Sequence, residues 1–423
     1  MKGARAARPR PVRGTRDLYG ETLRRHRHVV ETGRRLAARY AFEEMATPVF
    51  EFTEVFARTL GETSDVVTKE MYTFLDRGGE SLTLRPEGTA GIVRAAVSEG
   101  LLQQLPVKFF YAGAMFRYER PQKGRLRQFH QIGVEILGAP EAAADVEAIL
   151  LGQHLLEELG VAARVTLELN TLGNMESRAR YRDALVAYLA RHQARLSRDS
   201  RERLERNPLR ILDSKDPGDR EIIAGAPRLE DYLDEHSRAF FAEVRTRLDD
   251  LGIPYRLNPH LVRGLDYYTH TAFEFTTEEL GAQGAVLAGG RYDGLMAQMG
   301  GPDLPGVGWA AGVERLAMLL PAVPAAPRPT AIVPIGAQAE REAWKLAAEL
   351  RRAGFVVDLA YRGRPGQRMK RADRLGCRFA LSLGEEELGR GTVRLRDLDS
   401  GEEQELPRIR VGEVLERLGA ARA

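Results

Sequence analysis

The chain has 423 residues, 43% of them hydrophobic and 29% charged, a composition that excludes a disordered polymer and fits two or three packed domains. No apolar run reaches the roughly 20 residues of a membrane helix, and a net charge of only +3 confines nucleic-acid binding to local patches. The single cysteine, Cys377, excludes an intramolecular disulfide and a cysteine-rich zinc site, and suits a reducing, cytoplasmic setting.

The start, residues 1–16, is basic, lacks acids and has no apolar core, so it reads as a short flexible arm rather than a targeting signal. From Glu21 to Tyr40 the apolar stripe of Leu23, Val30 and Leu36 predicts a helix. Glu43–Phe56 begins extended, because Pro48 does not suit a helix interior. Glu80–Arg85 alternates as a strand, and a helix begins within Gly88–Val97. Lys108–Tyr118 and Gln128–Leu137 are strands around a cationic loop. Ala142–Leu159 is an amphipathic helix and Arg164–Thr171 a strand. From about 176 to 245 the pattern is helical and heavily charged, which marks an insertion. Strands resume at Tyr255–Pro259 and Tyr267–Thr276, and Gly306–Leu320 reads as strand, glycine turn and helix. Regular helices do not separate these strands, so the core is α+β, a largely antiparallel sheet with flanking helices.

The proline-rich stretch at 321–329 is a stiff linker. It divides residues 1–327 from residues 328–423. In the latter, Ala331–Ile335, Val356–Ala360 and Phe379–Leu383 alternate as strands with helices Glu340–Ala353 and Gln367–Leu375, a small α/β unit.

Four segments carry chemistry. In the loop after Phe116, Arg117, Arg120, Lys123, Arg125 and Arg127 face a single acid, Glu119, and such fixed cations beside a rigid sheet suit a phosphate. In the strand that follows, Phe129, Gln131, Gly133 and Glu135 share one face, while Ile132, Val134 and Ile136 share the other and point to the core. A turn centred near Lys123 sets Arg117 opposite Phe129 and Gly113 opposite Gly133, with the glycines leaving room above the sheet. That face is a pocket floor: Arg117 for a phosphate, Phe129 for stacking a flat ring, Gln131 and Glu135 for a polar substrate. The second segment, LVRGLDYYTHTAFEF from residue 261, holds Arg263, Tyr267 and Tyr268; consecutive strand residues face opposite ways, so at most one tyrosine reaches a given pocket directly. The third, GVGWAAGVERL from residue 306, carries Gly306, Gly308 and Gly312 for close backbone approach and Arg315 on the following helix. Its spacing is not that of a dinucleotide-binding fold. In the fourth, LRPEGTAGIVR from residue 84, Glu87 stands at a strand-to-helix junction, where it either binds an ammonium group or serves the helix N-terminus.

Together these segments resemble the histidyl-tRNA synthetase family of class II aminoacyl-tRNA synthetases. TPVFE (47–51) is similar to the dimer-forming motif 1, FRYERPQKGRLRQFHQ to motif 2 and GVGWAAGVERL to motif 3. RGLDYYT and AGGRYDG (288–294) are similar to elements that mark the histidine enzymes. The likeness covers nearly the whole chain. It implies a class II catalytic core with a helical insertion and a C-terminal anticodon-binding domain. The implied reaction is activation of L-histidine by ATP, with Mg²⁺, followed by transfer to tRNA(His), in a cytoplasmic homodimer with no membrane association.

The resemblance also implies roles. Arg117 and Arg263 are catalytic at the α-phosphate. Arg117, Arg125, Phe129 and Arg315 hold ATP. Glu87, Gly88, Thr89, Arg117, Gln131, Glu135, Arg263, Tyr267 and Tyr268 hold histidine, with Glu135 and Tyr268 at the ring and Glu87, Thr89 and Gln131 at the ammonium group. No metal ligand is assigned. The basic run Arg362, Arg364, Arg368, Lys370, Arg371 and Arg374 suits RNA phosphates. Two alternatives are a class II synthetase for another amino acid and a non-catalytic, histidine-binding regulatory paralogue of ATP phosphoribosyltransferase. The latter typically lacks a tRNA-reading C-terminal domain.

Overall fold

The computed structural model describes residues 9–60, 66–212, 214–262, 267–281, 284–323 and 325–422. They divide into two compact units, one ending at Val323 and the other taking the rest of the chain. In the first unit the helix Gly20–Arg39 is followed by β1 (Glu43–Glu44), β2 (Phe50–Phe52), β3 (Tyr72–Leu75), β4 (Ser81–Leu84), β5 (Val107–Phe116) and β6 (Gln128–Leu137). After these come β7 (Thr166–Thr171), β8 (Arg256–Leu257), β9 (Thr269–Thr276), β10 (Ala285–Arg291) and β11 (Gly306–Gly312). An 8-stranded sheet runs in the order β1-β5-β6-β11-β10-β9-β7-β8. Its outer pairs, β1–β5 and β7–β8, are parallel, and every pair between β5 and β7 is antiparallel.

The alternation in β6 decides how this sheet is covered. Ile132, Val134 and Ile136 pack with Val29 and Leu36 of the first helix and with Val146, Ile149 and Leu155 of the helix Ala142–Glu158. Full burial of each such side chain contributes about 1.5–3 kcal/mol. On the other face Phe109, Tyr111 and Met115 of β5 pack against Ala90, Ile92 and Val93 of the helix Thr89–Ser98. With both faces sealed there, the polar groups at the Phe129 end of β6 border the open cavity described below.

The insertion is formed by helices Met175–Arg191, Arg198–Arg206, Pro217–Ile223 and Glu235–Asp250. Each begins at a polar cap: the side chains of Asn174, Ser197, Asp216 and Asp234 accept backbone N–H groups of the first turn. Buried Asp219 ties the middle of the insertion together, accepting hydrogen bonds from the hydroxyls of Ser197 (2.8 Å), Ser200 (2.6 Å) and Ser214 (2.6 Å).

In a separate small sheet, ordered β2-β4-β3, the register sets Phe50, Leu84 and Tyr72 in one row and Phe52, Leu82 and Phe74 in the next. Side chains alternate across a strand, so these rows share one apolar face.

The second unit holds β12 (Thr330–Pro334), β13 (Val357–Leu359), β14 (Phe379–Leu383), β15 (Thr392–Asp397) and β16 (Glu403–Pro407), ordered β13-β12-β14-β15-β16. The first three are parallel, as expected for an α/β unit. The antiparallel pair β15–β16 extends the sheet beyond the elements read from sequence.

Three further features differ from the sequence reading. β3 and β10 were not anticipated. β10 lies at the heart of the large sheet, but its sequence, AVLAGGR, has two glycines and no polar–apolar alternation. No glycine turn separates β11 from the helix Val313–Leu319, which begins directly at Gly312. Of the six cations expected to meet RNA, two are engaged within the fold. Arg368 is buried and donates to Gly363 O (2.7 Å) and Glu340 (2.5 Å), and Arg371 forms a two-pronged pair with Asp358 at 3.0 and 2.9 Å.

Candidate active site

The β5–β6 hairpin forms the floor, with a register that differs from the expected one. Gly113 pairs with Gln131, Met115 with Phe129 and Tyr111 with Gly133, and the Arg117 N–H donates to Arg127 O at 2.9 Å. The strands pair about Gln122 rather than Lys123, and moving the centre by one residue shifts every partner by two. Within the loop, Gln122 and Arg125 form an isolated antiparallel bridge that is not centred on Gln122. The space above the two glycines is filled. A Cβ on Gly133 would lie 2.4 Å from Tyr111 Cζ, and one on Gly113 would lie 2.1 Å from Arg85 Nη2. Arg85 itself donates to Ala114 O (2.9 Å) and Thr47 O (2.8 Å), tying the Thr47–Glu51 segment to β5.

Beside this floor opens a cavity of about 1180 Å³. Its lining includes Glu87, Thr89, Arg117, Arg125, Phe129, Gln131, Tyr267, Tyr268 and Arg315, so most of the sequence-predicted residues meet in one place. Both tyrosines reach it, contrary to expectation, because they precede β9 instead of alternating within it. Arg117 is held by a bond from Nε to Pro86 O (2.9 Å), and its guanidinium lies 5.6 Å from the Phe129 ring centroid despite the shifted register. Arg315 donates to Gly124 O (3.1 Å) and Ala285 O (2.6 Å). Burial and then the neighbouring Arg125 and Arg117 cations pull the Arg315 pKa below its ordinary value. Such mutual repulsion is relieved when an anion enters. Arg125 pairs with Glu119, to which the sequence alone assigns no role. Arg127 lies over the Tyr118 ring at 3.9 Å, a packing role.

Glu87 serves the helix N-terminus from a position on the cavity wall. Its carboxyl accepts the backbone N–H groups of Thr89 (2.6 Å) and Ala90 (2.9 Å). Burial is the main influence on its pKa, which is raised. Glu135 lies behind the lining and is fully buried; it accepts hydrogen bonds from the hydroxyls of Thr89 (2.7 Å) and Tyr292 (2.5 Å). Burial pushes its pKa up to about 8 against the pull of these two bonds. Gly88 also stands off the cavity, where a Cβ would meet the Tyr111 ring at 2.2 Å. Arg263 falls outside the described residues. Among those described, the buried Gln131 Oε1 has no hydrogen-bond partner.

Tyr292, which the sequence reading did not single out although it belongs to the quoted AGGRYDG, supports Glu135 from behind the lining. Its ring occupies the space above Gly306, where a Cβ would lie 2.2 Å from Cε2. The Glu135 carboxyl occupies the space above Gly308, where a Cβ would lie 2.0 Å from Oε2. The two glycines of GVG thus accommodate the Tyr292–Glu135 pair rather than a nucleotide. Gly308→Ala should consequently lower stability by about 3 kcal/mol or more through overpacking, measured by urea unfolding at constant m.

The insertion supplies further lining that the sequence did not indicate: Arg198, Arg203, Arg210, Lys215 and Arg220 face the same cavity. Among the described residues, one cluster, His26, His130 and Glu314, brings ligand-type atoms within 4.8 Å of one another. There His130 already donates its backbone N–H to Glu314 (2.9 Å) and sets Nδ1 2.8 Å from it, while Arg16 lies 3.4 Å from His26 Nε2 and opposes a cation.

A family model described as histidyl-tRNA synthetase matches residues 14–316, and one described as anticodon binding domain matches residues 330–418. The chain belongs to the histidyl-tRNA synthetase family. Its relative from Rhodospirillum rubrum, named histidine–tRNA ligase, is 63% identical over 408 residues, covering 96% of this chain and 98% of the relative. The apo crystal structure of the Staphylococcus aureus histidyl-tRNA synthetase superposes with a TM-score of 0.81 at 35% identity, covering 96% of this chain and 99% of that one. A Bacillus halodurans structure titled ATP phosphoribosyltransferase regulatory subunit/histidyl-tRNA synthetase matches with a TM-score of 0.61, covering 85% and 93%; at 23% identity it shows the fold alone. As an aminoacyl-tRNA synthetase, this chain uses ATP, and among its described residues no helix is long and apolar enough to cross a membrane.

Proposed function

We infer that the chain activates L-histidine with ATP to histidyl-adenylate and transfers the histidyl group to the 3′ end of tRNA(His). The observation that carries this reading is the cavity, where a cationic group, Arg117, Arg125 and Arg315, adjoins a polar group, Glu87, Thr89, Gln131, Tyr267 and Tyr268. The histidine carboxylate attacks the α-phosphorus of ATP and diphosphate leaves. A carboxylate needs no general base, so catalysis rests on alignment and on stabilising the phosphate charge. Arg117 holds the α-phosphate against the incoming carboxylate, with Arg263 as its catalytic partner. Arg315 and Arg125 take the terminal phosphates, and Phe129 stacks on adenine. Were Mg²⁺ bound with the phosphates, the Glu274 carboxylate in the lining would offer it oxygen ligands and the ion would neutralise phosphate charge, whereas Glu119 is already paired with Arg125.

At the amino-acid end the α-ammonium group donates to Gln131 Oε1, to the Thr89 hydroxyl oxygen and to Glu87. The imidazole is held by Glu135 and Tyr268, with Gly88 and Tyr267 closing the pocket. Although Glu135 already accepts two hydrogen bonds, a carboxylate has about four lone-pair sites and can accept the ring N–H as well. Histidine-dependent ATP–diphosphate exchange followed by charging of tRNA(His) tests the reading. Exchange with another amino acid but not with histidine would overturn the specificity. Histidine binding without exchange would favour the regulatory paralogue, whose typical lack of a tRNA-reading domain is not matched by the anticodon-domain likeness of residues 330–418.

The protein acts as a cytoplasmic homodimer. The supporting feature is the apolar face of the small sheet, on which Phe50 (49%), Phe52 (48%) and Phe74 (45%) remain half exposed. A second copy would cover it. Phe52→Asp is expected to produce a monomer by sedimentation and to lower exchange at least tenfold; a wild-type monomer with full activity would overturn this assembly.

A further inference from the structure

The second unit carries a pair of aromatic rings that its core does not use. Trp344, on the helix Ala337–Arg352, and Tyr361, just after β13, stack with centroids 6.4 Å apart and planes 15° from parallel. The helix buries Ala339, Ala343, Leu346, Ala347 and Leu350, whereas Trp344 is 50% exposed and Tyr361 89% exposed. Aromatic rings stacked at the surface and still open to solvent suit another flat ring.

The surroundings narrow the choice of partner. Arg362, Arg364, Lys370 and Arg374 follow Tyr361 closely in the chain and are all exposed. Among the described residues they form no ion pair, unlike Arg368 and Arg371. Those two paired arginines fix the platform, Arg368 holding the Tyr361 loop at Gly363 O and Arg371 holding the helix Pro365–Arg374 to Asp358 on β13. A protein interface core is depleted in charge and tolerates a one-signed rim poorly. Single-stranded RNA presents unpaired bases on a polyanionic backbone and matches both features.

We propose that Trp344 and Tyr361 form a stacking platform for an unpaired nucleobase of the anticodon loop, with Arg362, Arg364, Lys370 and Arg374 contacting its flanking phosphates. This rests on the reading of residues 330–418 as an anticodon-binding domain. Trp344 and Tyr361 act on tRNA affinity and take no part in adenylate formation.

The chain's two tryptophans allow a direct measurement. Trp309 is buried, with its indole N–H bonded to Ala148 O at 2.8 Å, so Trp344 is the exposed reporter. With the full-length enzyme, an anticodon stem–loop RNA should quench its fluorescence, and an acceptor-stem minihelix should not. Tyr361→Ala and Trp344→Ala should each raise KM for tRNA(His) about tenfold or more, and Tyr361→Phe, which keeps the ring, should stay near wild type. Histidine-dependent exchange, measured on the same preparations, should remain within about twofold. If the wild type charges tRNA with an abasic anticodon loop as well as intact tRNA, the anticodon reading falls and the platform with it. If intact tRNA is strongly preferred but both alanine variants keep a wild-type KM, the platform alone is overturned.

Discussion

Arg117→Ala should slow histidine-dependent ATP–diphosphate exchange by about 10³-fold, with little change in histidine affinity. A loss of that size corresponds to about 4 kcal/mol of transition-state stabilisation, the range for removing one preorganised charged donor. Arg117 suits this role because it is positioned before substrate arrives: Nε is fixed on Pro86 O at 2.9 Å, which orients the rest of the guanidinium. Charge on the α-phosphate grows as the carboxylate attacks, so the missing interaction should lower kcat more than it raises KM for histidine. Arg117→Lys should recover only part of the rate, since an ammonium cannot reproduce the planar fork. Arg315→Ala should act mainly on KM for ATP. Equal losses in kcat and in histidine binding for Arg117→Ala, or a loss below tenfold, would contradict the assignment.

What the sequence makes legible depends on how local the cause is. The period of two in Gln128–Leu137 separates Ile132, Val134 and Ile136 from Gln131 and Glu135, and the folded strand keeps that separation. Arg117, Arg125 and Arg315 stand out by charge and converge on one cavity. The register of the hairpin was less accessible, because it depends on where the loop closes, and a shift of one residue in the centre removes both supposed gaps above the glycines. Tyr292 became meaningful only through pairing of β10 with β11, which brings it beside Gly306 and Glu135, residues distant in the chain. The glycines of GVG were conspicuous for a reason that proved different: they make room for side chains of neighbouring strands. Arg368 and Arg371 look like RNA-binding cations in sequence, and only the positions of Glu340 and Asp358 reveal their structural work.

Glu135→Gln should raise stability at alkaline pH while weakening histidine binding. The wild-type carboxyl is fully buried, and burial pushes its pKa from the ordinary carboxylate range up to about 8. Below the unfolded-state pKa both states hold the proton and the group adds no pH dependence. Between the two values the folded state holds one proton more than the unfolded chain, so wild-type stability falls as pH rises, by up to about 1.4 kcal/mol per pH unit. Above the folded pKa the full cost is present. Glutamine resembles the protonated acid in shape and cannot ionise, and the hydroxyls of Thr89 and Tyr292 can turn to meet it. Between pH 6 and 8 the variant should therefore gain about 2 kcal/mol relative to wild type in urea unfolding. Its histidine affinity should drop roughly 10- to 100-fold, the cost of mispairing a buried donor. Parallel stability–pH curves for the two proteins would show that Glu135 ionises as readily inside the fold as outside it. Unchanged histidine affinity would show that the ring is held elsewhere. A gain in stability coupled to a loss of substrate would instead mean that the fold retains a costly buried acid because its ligand requires one.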